Sequence, residues 1–193
     1  MEKAANIFII SVSFIIAVQI EESMVELIGD RFEAPTLELW CARDELMLKL
    51  NSEALVQARQ AVSKGKQYSY GSENEGYFQH QHLMWELEGT YRCGNWLASI
   101  SMSAAVVETF LSSYLSKGNK SEQFLKSIAF PNMPDYKELV DMRNSIMHLR
   151  NRSFSKSAYN KSEKEYFDMA TRFLWLTYFL KDYVLFFFHS DDS

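Results

Sequence analysis

The sequence predicts an all-α chain, and three observations carry that reading. Apolar residues recur at spacings of three, four and seven along several long stretches. Glycine and proline are sparse, 7 and 3 in 193 residues, too few for the many tight turns of a small-strand sandwich. Capping-box patterns stand at two expected helix starts, Ser72 to Glu75 and Ser162 to Glu165.

The elements follow in chain order. Residues 7–20, IFIISVSFIIAVQI, are nearly all apolar. Their β-branched residues alternate as in a strand, but a lone long strand would lack a partner, so the segment is read as a buried helix. A spanning helix needs roughly 20 apolar residues, and no small-residue cleavage site follows Ile20, so a buried globular segment is preferred to an anchor or a signal peptide. After the break at Gly29 and Pro35, the stretch Thr36–Ser63 carries Leu39, Leu46, Leu50, Leu55 and Val62 at near-helical spacing. Residues 64–76 form the next break. Tyr77–Leu115 is helical, with Gly89 and Gly94 as possible interruptions. Breaks at 117–120 and 130–134 precede a short helix, Tyr136–Leu149. Its apolar stripe is Leu139, Met142, Ile146 and Leu149, with Pro134 near its start. The capping box Ser162-x-x-Glu165 opens a last helix through Phe173, Leu176, Phe179, Leu180, Tyr183 and Phe187. Lys181 and Asp182 interrupt the apolar run Phe173–Phe188, which argues for a core or interface helix instead of a membrane span.

Composition narrows the function classes. Hydrophobic residues make up 47%, too many for a disordered chain. The net charge is −5, split as −6 over residues 1–100 and +1 over the rest, so any nucleic-acid contact needs a local basic surface. Two cysteines, Cys41 and Cys93, give neither a disulfide framework nor a C-x-x-C metal site, and both are expected to be buried, inert thiols. His80, His82 and Glu86 are weak metal candidates, because His80 lies two residues off the face shared by the other two. Tyr77, Phe78, Trp85, Tyr91 and Trp96 could stack bases, yet their spacing suits core packing better. Phe186, Phe187 and Phe188 are expected in the core or at a dimer contact. No metal or cofactor is expected.

The stretch Asp141–Arg152, DMRNSIMHLRNR, holds the chemistry. Arg143 and His148 are five residues apart, so on a helix they flank a face at about 140° from each other. Asn144 and His148 stack at i and i+4. Arg143-Asn144-Ser145-Ile146-Met147-His148 resembles the R-x4-H signature of the HEPN superfamily, helical nucleotide-binding and ribonuclease domains. Ser99–Leu115 looks like the small-residue-rich helix of those domains, with Glu108 where an acidic residue often occurs. The resemblance spans roughly residues 77–189. Some branches have a tyrosine two positions after the histidine, where this chain has Arg150.

The resemblance implies a HEPN-like antiparallel helical bundle over residues 77–193; residues 1–76, without a counterpart in that family, are expected to form a helical arm packed on the bundle in one compact domain. It implies metal-independent RNA cleavage: a base takes the ribose 2′-OH proton, and a cation stabilises the charge gained by phosphate. His148 has the intrinsic pKa for the first task and Arg143 the planar charged fork for the second, while Asn144 could orient His148 or contact the phosphate. A homodimer would bring two motifs to one cleft. From Arg143 to Ser162 there are five bases and no acid, so Arg150, Arg152 and Lys156 are expected to contact the RNA backbone. The expected setting is a cytoplasmic toxin or phage-defence ribonuclease, with RNA or a nucleotide as ligand, a possible antitoxin partner and no membrane. The rival expectations are a non-catalytic nucleotide-, RNA- or protein-binding module and a purely structural dimerisation bundle.

Overall fold

A computed structural model describes residues 35–62, 75–115, 120–147 and 161–189; 88% of these are helical, with no strand among them. The helices are α1 (Leu37–Ala61), α2 (Glu75–Arg92), α3 (Trp96–Tyr114), α4 (Ser121–Ser127), α5 (Met133–Met147) and α6 (Glu163–His189). The all-α expectation therefore holds for the described residues. The expected helix within residues 7–20 and the capping box at Ser72 lie outside them.

Local signals set the helix ends. Thr36 is extended, and its hydroxyl accepts the Leu39 N–H at 3.2 Å, satisfying one orphan donor of α1. At α6 the capping box forms as the sequence predicts. Ser162 N–H donates to Glu165 Oε2 at 2.7 Å, and Glu165 N–H returns a bond to Ser162 Oγ at 3.2 Å.

Tyr77–Leu115 is broken once, at Gly94, while Gly89 stays inside α2. Gly94 takes φ +75°, the left-handed conformation that closes α2. Gly94 N–H bonds to Tyr91 O and Asn95 N–H to Thr90 O, each at 2.9 Å, the pairing of a Schellman closure. Asn95 then caps α3 through its bond from Ala98 N–H. The same closure ends α4, with Ala129 in the left-handed place (φ 54°) and Phe130 N–H bonded to Leu125 O at 2.9 Å.

Side-chain contacts fix the helix directions. The α2–α3 turn makes an antiparallel hairpin, with His80 against Phe110 at 5.0 Å between ring centroids. Trp96, at the start of α3, touches Phe167 near the start of α6 (5.1 Å) and lies under the Arg43 guanidinium near the start of α1 (4.8 Å). Tyr114, at the end of α3, stacks on Phe188 near the end of α6. Hence α1, α3 and α6 run one way and α2 runs the other. The expected antiparallel packing holds at α1–α2 and α2–α3. The α3–α6 and α6–α1 pairs are parallel, because α4, α5 and their connections return the chain to the end where α3 began.

α1 packs along α6 and α2, and α5 lies against α3 and α6. The buried face of α1 is Arg43, Met47, Leu50, Ala54 and Ala58. Leu55, part of the apolar spacing in the sequence, is turned to solvent. Two alanines on the inner face let α6 approach closely, and bulky side chains take the outside. Tyr91 and Tyr178 carry polar tips into the interior, where Tyr91 Oη meets Thr171 Oγ1 at 2.6 Å and Tyr178 donates to Glu88 at 2.9 Å. Burial raises both phenol pKa values well above the ordinary tyrosine range.

Phe173–Phe188 falls within α6 and is largely buried in the bundle, with Lys181 and Asp182 paired at 3.6 Å. Among the described residues, no helix is long and apolar enough to cross a membrane.

Candidate functional site

α5 carries the first part of the motif. Its inner face is Tyr136, Leu139, Met142 and Ser145, with Ile146 half-buried against the core. The expected stripe is thus present as far as the described residues extend; Leu149 lies beyond them. Besides the pair made by Arg143, three ion pairs among the described residues link the helix to α4 and α6. Arg172 of α6 reaches Asp135 at 3.5 Å and also pairs with Glu138, and Lys137 meets Glu122 of α4 at 3.3 Å. The Lys126 and Lys137 ammonium groups hold the Glu122 carboxyl below its usual range.

Arg143 lies on the flank of α5 turned toward α3. One guanidinium nitrogen donates to Glu108 Oε2 at 2.7 Å, and the other to Asn144 Oδ1 at 2.9 Å. The carboxylate of α3 and the amide of the next residue therefore fix the plane of the fork. A guanidinium has five N–H donors, and these bonds occupy two. The Arg143 side chain keeps 31% of its surface exposed and that of Glu108 36%, so the pair is only partly covered. Tyr136, two turns before Arg143, lies in the field of the same carboxylate. Burial raises its pKa first, and Glu108 and Glu122 add to the rise.

Arg143, Asn144 and Glu108 are thus one hydrogen-bonded cluster. His148, Arg150, Arg152 and Lys156 lie outside the described residues, and α5 ends one residue before His148.

The other sequence candidates separate. His80 is buried beside Phe110, whereas His82 is exposed with its ring edge on Trp85 at 5.3 Å. Tyr91 and Trp96 are core residues, and Trp85 is exposed. The side chains of Tyr77 and Phe78 lie outside the described residues. Phe186, Phe187 and Phe188 pack half-buried against the core. Cys41 and Cys93 are both exposed, contrary to the expectation of buried thiols: Cys41 sits on the outer side of α1 and Cys93 on the α2–α3 turn.

Sequence reasoning missed Arg43, which is 2% exposed. It donates to Arg92 O at 2.7 Å, beneath Gly94 and over Trp96. Its signal was present: it stands four residues before Met47 and seven before Leu50, on their side of the helix. Burial pulls its pKa below the ordinary value, with Tyr91 and Cys93 acting in the opposite sense. The nearby turn bounds a half-open cleft of about 340 Å³ lined by Cys93, Asn95, Trp96, Glu163 and Tyr166 among others. That cleft contains no residue of α5.

No known protein family, curated protein or solved structure matches the chain at a significant level.

Proposed function

We propose that the chain is a HEPN-type, metal-independent endoribonuclease acting as a homodimer, of the toxin or phage-defence kind. The observation that carries this reading is the state of Arg143. Its fork is oriented from two sides by Glu108 and Asn144 and is only partly covered at the end of α5. A cation preorganised in this way stabilises charge that develops on a phosphate without having to reorganise during the reaction.

In this mechanism His148 removes the ribose 2′-OH proton. The oxygen attacks the adjacent phosphorus, and the 5′-oxygen leaves with a proton, giving a 2′,3′-cyclic phosphate end. Arg143 binds the non-bridging oxygens, and Asn144 holds the arginine or the histidine in register. Arg150, Arg152 and Lys156 contact the RNA backbone. A second protomer supplies the second histidine, so that one imidazole serves as base and the other as acid.

The test is cleavage of RNA in chelator, with the ends scored for cyclic phosphate. Wild type should cut, and His148→Ala and Arg143→Ala should each lose at least about a hundredfold in rate. Equal cleavage by His148→Ala would exclude this site.

A second reading has its own support. Glu108 already neutralises Arg143, which weakens its pull on phosphate. A non-catalytic module that binds RNA, a nucleotide or an antitoxin-like protein would tolerate that pairing. RNA binding without products would favour it.

A further inference from the structure

Six of the seven large apolar side chains that stand exposed among the described residues gather on one side of the molecule. Leu37, Trp40, Leu48, Leu55 and Val56 belong to α1 and Trp85 to α2. Leu37, Leu48 and Leu55 are 75%, 63% and 45% exposed, and their separations of eleven and seven residues keep them within about 20° of one line along the helix. Arg92 of α2 binds Asp44 of α1 at 2.8 Å, and the two helices run antiparallel. Trp85, seven residues before Arg92 on the same side of α2, therefore comes level with Asn51, between Leu48 and Leu55. An exposed apolar row of this length marks an interaction surface.

The row suits an uncharged occupant. Between Leu37 and Leu55, Cys41, Asp44 and Ser52 also lie within about 40° of the line. The Asp44 carboxylate is taken by Arg92, and the Ser52 hydroxyl donates to Leu48 O at 2.9 Å. Glu38, Glu45 and Lys49 fall about 60° to 100° away, on an exposed flank. We propose that residues 7–20 of this same chain cover the row. IFIISVSFIIAVQI has no charge, and eleven of its fourteen residues are apolar. Elsewhere outside the described residues, no run of more than two apolar residues occurs.

The tether favours this segment over a separate molecule. Residues 21–34 join it to the start of α1, and fourteen residues reach at most about 46–50 Å. The 25 residues of α1 are about 37 Å long, so every part of the row is within range. A separate partner must supply roughly 800 Å² of its own surface for a stable interface. A tethered segment binds at an effective concentration on the order of millimolar, for which a smaller contact is enough. The surface lies on α1 and α2, away from Arg143 on α5, and the inference rests neither on ribonuclease activity nor on a homodimer.

Thiol labelling of the full chain tests the proposal. In a Cys41→Ser, Cys93→Ser background, a single cysteine is placed on the row by Leu48→Cys or on the exposed start of α6 by Lys164→Cys, and the rate of reaction with a maleimide is measured. Leu48→Cys should react at least about tenfold more slowly than Lys164→Cys at every protein concentration, as for a face covered nine-tenths of the time. Ile10→Glu with Phe14→Glu should bring Leu48→Cys up to the rate of Lys164→Cys. Ala58→Cys, on the buried side of α1, should stay protected in the same variant, which shows the bundle intact; where it does not, the milder Phe14→Ser replaces the two glutamates. Equal rates at the two positions in the chain with residues 7–20 unaltered would overturn the proposal. So would slowing that disappears on dilution, the mark of a second copy, or slowing that needs phospholipid vesicles, the mark of a membrane. Slowing that survives the substitutions in residues 7–20 would overturn it too, because another part of the chain would then cover the row.

Discussion

Gly94→Ala tests the account of how the α2–α3 turn is locked. Two costs add at this position. An alanine held at φ +75° loses about 1 kcal/mol relative to glycine. Its Cβ would also lie 2.8 Å from both terminal nitrogens of Arg43 and 3.0 Å from the guanidinium carbon. The guanidinium must then move off Arg92 O, to which it donates at 2.7 Å. Breaking a charge-assisted bond of this kind costs about 1.5–3 kcal/mol. The expected destabilisation is about 3 kcal/mol, read from urea unfolding monitored by circular dichroism, and for a chain of this size the melting point should drop by about 6–12 °C. The two costs separate in an Arg43→Met background. There the steric conflict is gone, and Gly94→Ala should cost only about 1 kcal/mol, a coupling of about 2 kcal/mol. A wild-type cost below about 1 kcal/mol, or the same cost in both backgrounds, would refute the idea that Gly94 is there to admit the arginine.

Two further substitutions follow from the same structure. Ala129 holds the left-handed position that closes α4, so Ala129→Gly should stabilise the chain by about 0.5–1 kcal/mol in the same unfolding assay. Asp182 is buried in α6, and burial raises its carboxyl pKa above the ordinary value, against the opposing pull of Lys181. A folded-state acid pKa above the unfolded one means that the native state binds the proton more tightly, so this group penalises stability at neutral pH and the penalty fades as pH falls through the folded pKa toward the unfolded one. Asp182→Asn should therefore raise the melting point at pH 7, and the gain should shrink as the pH falls toward the unfolded value of about 4 and be gone below it; a gain independent of pH would contradict the burial argument.

Features set by neighbours in sequence were legible before any coordinates. The capping box of α6 needs only Ser162 and Glu165, and the inner stripe of α5 needs only the spacing of Leu139, Met142 and Ile146. Features set by distant partners were not. On α1, the apolar spacing found Leu46, Leu50 and Val62 on the packed side, but it turned Leu55 inward and missed Ala54 and Ala58, because the space left by α6 decides which side can approach it. The burial of Arg43 depends on Arg92 O and Trp96, about 50 residues away, which receive its charge. At the candidate site, Arg143 and Asn144 were legible as residue types. The resemblance marked Glu108 only as an acidic position, and its bond to Arg143 across 35 positions could not be read from spacing.

Among the described residues, three of the four longest helices begin at one end of the bundle, and that arrangement has an electrical consequence. Along α1, α3 and α6 the aligned peptide dipoles add, and α2 opposes only one of the three. An up-and-down bundle of four would have almost no net dipole. The carboxylates in the first turns of α1 and α6, Glu38, Glu163 and Glu165, sit at the positive end of that shared dipole and answer it.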